Sequence, residues 1–311
     1  MPPPIAPLPT TPTFRMSSEL PPEGNPALVA EIRRAIRAAG GRLSFRDFME
    51  LALYHPVHGY YSSPGPQTGK RGDYLTSPEI SPMFGECIAR HLTAHGITSV
   101  LEIGPGTGKL GDVLRRYFSY TALVRGERFP TGFEGAVVSN ELLDALPVHR
   151  LRGGREVFVR EDFSEELLPS DLAGQDGEVN TDALAAMRTV YDGLAHGTVL
   201  TVDYGYEAGA RRPTFRTYFR HTVNDNPYEL VGYKDMTSHV DFTSIVQLGE
   251  SCGLRTELFT TQADFLVANG IGEMLVSQPD LVQAKQAAME LLNPAGMGAF
   301  RVLVQVKDRP V

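Results

Sequence analysis

The chain has 311 residues, 42% of them hydrophobic, and a formal net charge of −8. The length exceeds a usual single domain of about 100–200 residues, so one enlarged domain or two unequal lobes are expected. The acidic balance, with no long basic stripe, argues against a nucleic-acid partner. No run approaches the roughly 18 apolar residues of a membrane span.

Residues 1–13 are proline-rich, with no cationic start, no apolar run and no Arg before Arg15. Neither a secretory signal nor a transit peptide fits, so residues 1–24 are expected to form a disordered tail of a cytoplasmic protein. Asn25-Pro26 is a helix start, with Asn as cap and Pro at the first position. Leu28, Ile32, Ile36 and Ala39 then recur at helical spacing until Gly40-Gly41 stops the helix. Ser44 caps a second helix carrying Phe45, Phe48 and Met49. Residues 54–82 read as a long loop, the kind that serves as a lid or binding loop. Helix is expected over 79–94. Residues 25–97 thus form an N-terminal helical and lid segment, ahead of a main domain over 98–311.

In that domain, strands are expected at 99–103, 135–139 and 198–203, each ending in polar residues. A glycine turn at 104–108 leads into a helix through Leu110, Val113 and Leu114. Residues 148–151 and 156–160 flank Gly153-Gly154 as a hairpin, within an insertion at about 146–196. Helices follow at 182–194, 242–252 and 280–292, and strands at 255–260 and 300–306. This alternation predicts an α/β sheet, mostly parallel, covered on both faces. Cys87 and Cys252 lie in apolar helical patterns without metal-type spacing. They are expected to be buried free thiols, and no metal site is expected.

Ligands of such sheets bind beyond the carboxyl ends of the strands. Those ends read Glu102-Ile-Gly104-Pro-Gly106-Thr-Gly108, Asn140-Glu141-Leu-Leu-Asp144 and Asp203-Tyr204-Gly205. The glycine spacing differs from the dinucleotide fingerprint, because Lys109 stands where a third glycine would fall. A glutamate before the turn suits a cationic, amine-bearing ligand better than a pyrophosphate. S-adenosylmethionine, with its sulfonium and α-amino group, meets that description.

The segments LALYHPVHGYYSS, GDYLTSPEISPMFGE, LEIGPGTGKL, SNELLDALPVHR, VDYGY, TSHVDF and TQADFLVANGI resemble the signature blocks of the MidA methyltransferase family. They occur in the family's order and span the chain from Leu51 to Ile271. The resemblance implies a Rossmann-like methyltransferase core, with an antiparallel last strand and an extra helical lobe. It implies S-adenosylmethionine as cofactor and, for mitochondrial members, methylation of an arginine in a complex I subunit during assembly. Glu102, Gly104, Gly106 and Gly108 match the cofactor loop. Asn140, Glu141 and Asp144 match the block beside the transferable methyl. His239 and Asp241 occupy a place similar to the Thr-His loop of arginine methyltransferases. Asp73 and Tyr74 belong to a segment closing over the cofactor. The resemblance also leaves a homodimer open, and a mitochondrial matrix location if the source is eukaryotic.

A guanidinium is always protonated and a poor nucleophile, so carboxylates must orient it and accept a proton. Glu141 and Asp144, three apart in a segment expected to turn helical, can share a face. A helix cap plus a solvated acid is the competing reading. His239 serves as a base or substrate contact, or caps the following helix. Tyr60, Tyr61 and Tyr74 form an aromatic lid or pack down on the core, and Asp203 touches substrate or only ends its strand.

One region departs from the family. Only residues 111–136 separate Leu110 from Val137, too few for a helix end followed by a strand–helix–strand unit. Residues 120–124 supply a second strand, with Glu127 as a displaced ribose ligand, but a third strand and its helix are missing. Residues 161–180 also read as shortened and polar. Three functions therefore compete. They are a protein arginine methyltransferase, a small-molecule or natural-product methyltransferase, and a non-catalytic assembly protein with a truncated cofactor site.

Overall fold

The structure, a computed structural model, describes residues 21–62, 75–172, 176–207 and 213–309. The proposed tail up to residue 20, and Asp73 and Tyr74, lie outside the described residues. In chain order, α1 (Pro26–Ala38), β1 (Arg42–Ser44) and α2 (Phe45–Tyr54) come first. They are followed by α3 (Ser77–Ile80), α4 (Pro82–Ala94), β2 (Ser99–Ile103), α5 (Lys109–Leu114), β3 (Ser119–Leu123) and β4 (Phe133–Asn140). An excursion holds β5 (His149–Arg152), β6 (Arg155–Arg160), β7 (Glu165–Pro169) and β8 (Gly177–Val179), before α6 (Thr181–Gly193) and β9 (Leu194–Asp203). Short strands β10 (Gly205–Tyr206), β11 (Arg216–Phe219), β12 (Thr222–Asn224), β13 (Asp235–Thr237) and β14 (Val240–Asp241) come next. The chain closes with α7 (Phe242–Ser251), β15 (Arg255–Thr261), α8 (Gln262–Ala268), α9 (Ile271–Val276), α10 (Leu281–Leu291) and β16 (Arg301–Lys307).

The central sheet has six strands in the order β15-β16-β9-β4-β2-β3. Strands β9, β4, β2 and β3 run parallel, while β16 is antiparallel to both β9 and β15. Val100, Ala136, Val138, Leu200, Val202, Val302 and Val304 are fully buried against α4, α5, α8 and α10. Leu101, Val137, Val199 and Leu303 pack on α6 and α7 from the other face. Such runs, apolar on both faces, are what a sheet covered on two sides requires. Burial of each of these side chains is worth about 1.5–3 kcal/mol.

The remaining strands build a lobe. Strand β6 pairs antiparallel with β1, β5 and β7, and β5 with β8. Leu28, Ile32 and Ile36 of α1 and Phe45, Phe48 and Met49 of α2 share one core with Val148, Val157, Val159, Phe163, Phe215, Val231 and Met236. The Asn25 side chain caps α1 and the Ser44 side chain caps α2, as their residue types require.

Four local expectations need correction. Residues 79–94 are not one helix: Ser81, with extended backbone (φ −162°), ends α3, and Pro82 opens α4. Residues 161–180, expected only to be shortened and polar, hold β7 and β8, which complete the lobe sheet. Cys252 is only partly buried, whereas Cys87 is fully so. Residues 141–146 form a turn rather than a helix, its first amides held by Asp203. The third strand and its helix are indeed missing: β3 passes directly through residues 124–132 to β4.

Candidate active site

The carboxyl ends of β2, β4 and β9 converge. After β2 the chain turns through Gly104, Gly106 and Gly108, with φ of 70°, 52° and 78°. These left-handed values favour glycine. A Cβ on Gly104 would lie 2.8 Å from Leu142 Cδ1, so this glycine also permits close packing against the β4 turn. A Cβ on Gly106 would meet nothing within 4 Å, so the loop faces open space there. Glu102, 3% exposed, accepts the Tyr120 hydroxyl at 2.6 Å. Burial raises its carboxyl above the usual range, against the lowering effect of that hydrogen bond.

Beyond β4, Asp203 arranges the chain. Its Oδ2 accepts the backbone N–H groups of Leu142 (3.2 Å), Leu143 (2.9 Å) and Asp144 (3.3 Å), and its Oδ1 that of Tyr204 (2.9 Å). One carboxylate thus holds three successive amides and fixes the shape of the turn. Asp203 is fully buried, so it shapes the site from beneath and is not exposed to a ligand. Glu141 sits at φ 48°, an uncommon conformation for a residue with a side chain, of the kind that gathers at functional sites.

The Glu141 carboxylate accepts Asn140 Nδ2 at 3.0 Å and the Ser77 N–H at 3.1 Å. Burial, then the neighbouring Asp144 charge, push its pKa up to about 8, against those two hydrogen bonds. Asp144 is 4% exposed and accepts the Tyr204 hydroxyl at Oδ2. Burial raises its pKa while Tyr204 lowers it. Asp203 is raised too, by burial and then by Asp144 and Glu141. Among the described residues, Asp144 Oδ1 and Asn140 Oδ1 are buried without a hydrogen-bond partner. Two such acceptors beside Glu141 call for donors, from a ligand or from water.

The His239 ring packs edge-on against Tyr204, with centroids 5.4 Å apart, which links it to Asp144 through the tyrosine. Its backbone N–H donates to Thr214 Oγ1, and the N–H of the preceding Ser238 donates to the Asp144 carbonyl; Asp241 caps α7 through Ser244 and pairs beside Tyr206. The α3 segment roofs the glycine turn: Glu79 accepts Thr76 N–H (3.1 Å) and Thr107 Oγ1 (3.2 Å). Ser77 Oγ donates to Gln262 Oε1 at 2.9 Å. Of the lid tyrosines, Tyr60 is buried in the lobe core, and Tyr61 donates to Asp235 at 2.8 Å.

Glu127 follows β3, exposed, with Oε2 accepting the Val124 N–H at 2.9 Å. It lines a cleft of about 190 Å³ together with Ile103, Leu123, Phe129, Leu142 and Met187. This apolar cleft adjoins the short 124–132 connection. Sequence reasoning missed Tyr204 and Ser77 as parts of the polar cluster. Only their places at a strand end and ahead of a helix could have flagged them.

The sheet order, its single reversed strand and the glycine turn define the Rossmann-like methyltransferase class. A sequence profile described as "Putative S-adenosyl-L-methionine-dependent methyltransferase" matches residues 120–260. The mitochondrial protein arginine methyltransferase NDUFAF7 of Danio rerio is 28% identical over 353 residues, covering 84% of this chain and 82% of its own. Its human counterpart is 24% identical, over 83% of this chain and 78% of its own. A Burkholderia thailandensis protein, solved with S-adenosyl-homocysteine bound, superposes with a TM-score of 0.80. It is 29% identical, over 90% of this chain and 92% of its own. The chain is an S-adenosylmethionine-dependent methyltransferase, similar to the MidA family.

Proposed function

We propose that this methyltransferase acts on an arginine guanidinium of a protein. The observation that carries the reading is the Glu141–Asp144 pair. These carboxylates stand at the end of β4, with Asp144 Oδ1 and Asn140 Oδ1 unpartnered among the described residues. The names of the NDUFAF7 relatives, protein arginine methyltransferases, support it.

The residues present fit the cofactor: open space over Gly106, and an unpartnered amide oxygen on Asn140. Gly104, Gly106, Gly108 and Asn140 would hold its amino-acid end, with Glu102 beneath, and Glu127 would hold the ribose. Bound there, S-adenosylmethionine supplies an electrophilic methyl for in-line displacement. Glu141 and Asp144 would hold the guanidinium, and its positive charge would draw the raised carboxyls back toward ionisation. Glu141, the more basic of the two by its pKa near 8, is suited to receive the proton released on transfer. Tyr204, donating to Asp144, and His239 behind it would fix the orientation of that carboxylate.

The test is methyl transfer from isotopically labelled S-adenosylmethionine to proteins of the source cell, with the modified residue located by mass spectrometry. Label on arginine supports the proposal. Label confined to a small molecule would favour a small-molecule methyltransferase. For location, the curated relatives are mitochondrial and the Burkholderia protein bacterial. Cell fractionation decides between mitochondria and cytoplasm.

A further inference from the structure

We propose that His91, His95 and Glu257 form a binding site for a transition-metal ion of the zinc class, between α4 and the edge strand β15, apart from the candidate active site. The two histidines lie one turn apart on α4, so both side chains project from the same face. Their ring centroids are 4.4 Å apart. Glu257 reaches them from β15, its Oε1 2.9 Å from His95 Nε2. One ligand atom from each residue lies within 4.8 Å of the others. Donors on a tetrahedral zinc stand about 3.4 Å apart, given bonds of about 2.0–2.1 Å, so small side-chain rotations close the site.

Three features favour an ion over a mere contact. First, His95 Nδ1 is 2.8 Å from the His91 carbonyl oxygen, which can only accept. With its ring proton on Nδ1, Nε2 turns a lone pair toward a carboxylate, an arrangement that a bound cation would satisfy. A backbone carbonyl holding the far ring nitrogen is also how metal-binding histidines are oriented. Second, His91 Nε2 is shielded from solvent and has no hydrogen-bond partner among the described residues. Third, Glu257 is where the β15–β16 register shifts, between Thr256 and Leu258. A bulge re-aims the side chain of its extra residue, here toward α4. Arg255 holds the other Glu257 oxygen at 3.2 Å, leaving Oε1 as a single donor.

Two imidazoles and a carboxylate select zinc, cobalt, nickel or copper over magnesium or calcium. His95 and Glu257 are exposed, so an ion can enter and keep water as a fourth ligand. Strand β15 runs parallel to β9, because β16 is antiparallel to both. The start of β15 is therefore far from Asn140 and Asp203, and the ion would clip α4 to the sheet's edge strand. It would take no part in methyl transfer.

The experiment uses the full chain, stripped with a chelator and titrated with zinc chloride. Competition against a chromophoric chelator should count one zinc per chain. At a hundredfold excess over Kd, the melting temperature should rise by about 5 °C. Magnesium chloride should give no shift. His95→Gln and Glu257→Gln should each weaken zinc binding at least tenfold, while His58→Gln should not. Absence of zinc binding by the wild-type chain would overturn the proposal. So would a zinc response of equal affinity in both site variants. Either result would leave the cluster as a surface contact between His95 and Glu257.

Discussion

The two ends of the candidate cofactor site are built differently. On the glycine-turn side, Asp203 pins three consecutive amides, Glu79 ties α3 to Thr107, and Ser77 bridges Glu141 and Gln262. On the other side, β3 is the edge strand, largely exposed, and residues 124–132 replace a whole strand and helix. One end is fixed by polar contacts that leave little freedom. The other is an apolar cleft with a single acid, Glu127, at its rim. Relatives aligned over 353 residues, more than this chain contains, carry longer segments within the same frame. The contrast sets a proposed reacting end held by many polar contacts against a proposed nucleotide end lined by apolar side chains.

The largest effect should come from the polar end. Gly106→Val places a side chain at φ 52° in the open space over the loop, and should weaken S-adenosylmethionine binding by at least about 100-fold, read by calorimetry. A folded variant of unchanged affinity would break the comparison at its root. Next, Glu141→Gln and Asp144→Asn should each lower turnover by about 100-fold while leaving cofactor affinity nearly intact, in steady-state assays. A neutral acceptor would not require both anions, so a loss in only one variant would point to it. At the apolar end, Glu127→Gln should raise the cofactor Kd by about tenfold, the scale of one charged hydrogen bond. No change there would place the ribose elsewhere.

The smallest effect is on stability. Because the folded pKa of Glu141 is raised from 4.5 to about 8, its contribution is fully present below pH 4.5 and is lost as pH rises through 8. Glu141→Gln removes that loss. The variant should match wild type near pH 4.5 and melt at a higher temperature than wild type above pH 8. Thermal scans of the ligand-free protein across that range check it. Asp144 and Asp203, raised for the same reason, should keep part of the slope in the variant.

Most of the sheet was legible because its strands announce themselves. SVLEI, TVLTVD and FRVLVQV are apolar runs bounded by turn residues, and each appears as a strand of the central sheet. The missing unit could also be read, from the short distance between Leu110 and Val137. Strands β7 and β8 were not legible, since Glu165, Glu166 and Gly177 carry no alternating apolar pattern and owe their pairing to β5 and β6. At the site, Glu141 and Asp144 could be read from the block they sit in, but not the turn that presents them. That turn depends on Asp203, some sixty residues away in the chain. The His91-x-x-x-His95 spacing was in plain view. Its third member, Glu257, becomes a neighbour only through the bulge in β15.

The lobe core joins α1 and α2 to Phe215, Val231 and Met236, and Gly24 bridges directly to Val231. During synthesis the first two helices therefore emerge with their apolar faces complete but their partners unmade. At about 5–20 residues per second, they wait on the order of ten seconds or more for the chain near Met236. The central sheet waits longer still, since β16 stands between β9 and β15 and is the last strand made. Neither half can close before its own late strands are made. A nascent chain stalled before residue 231 should hold α1 and α2 in a form open to chaperones and proteases, and synthesis through Met236 should be the event that buries them.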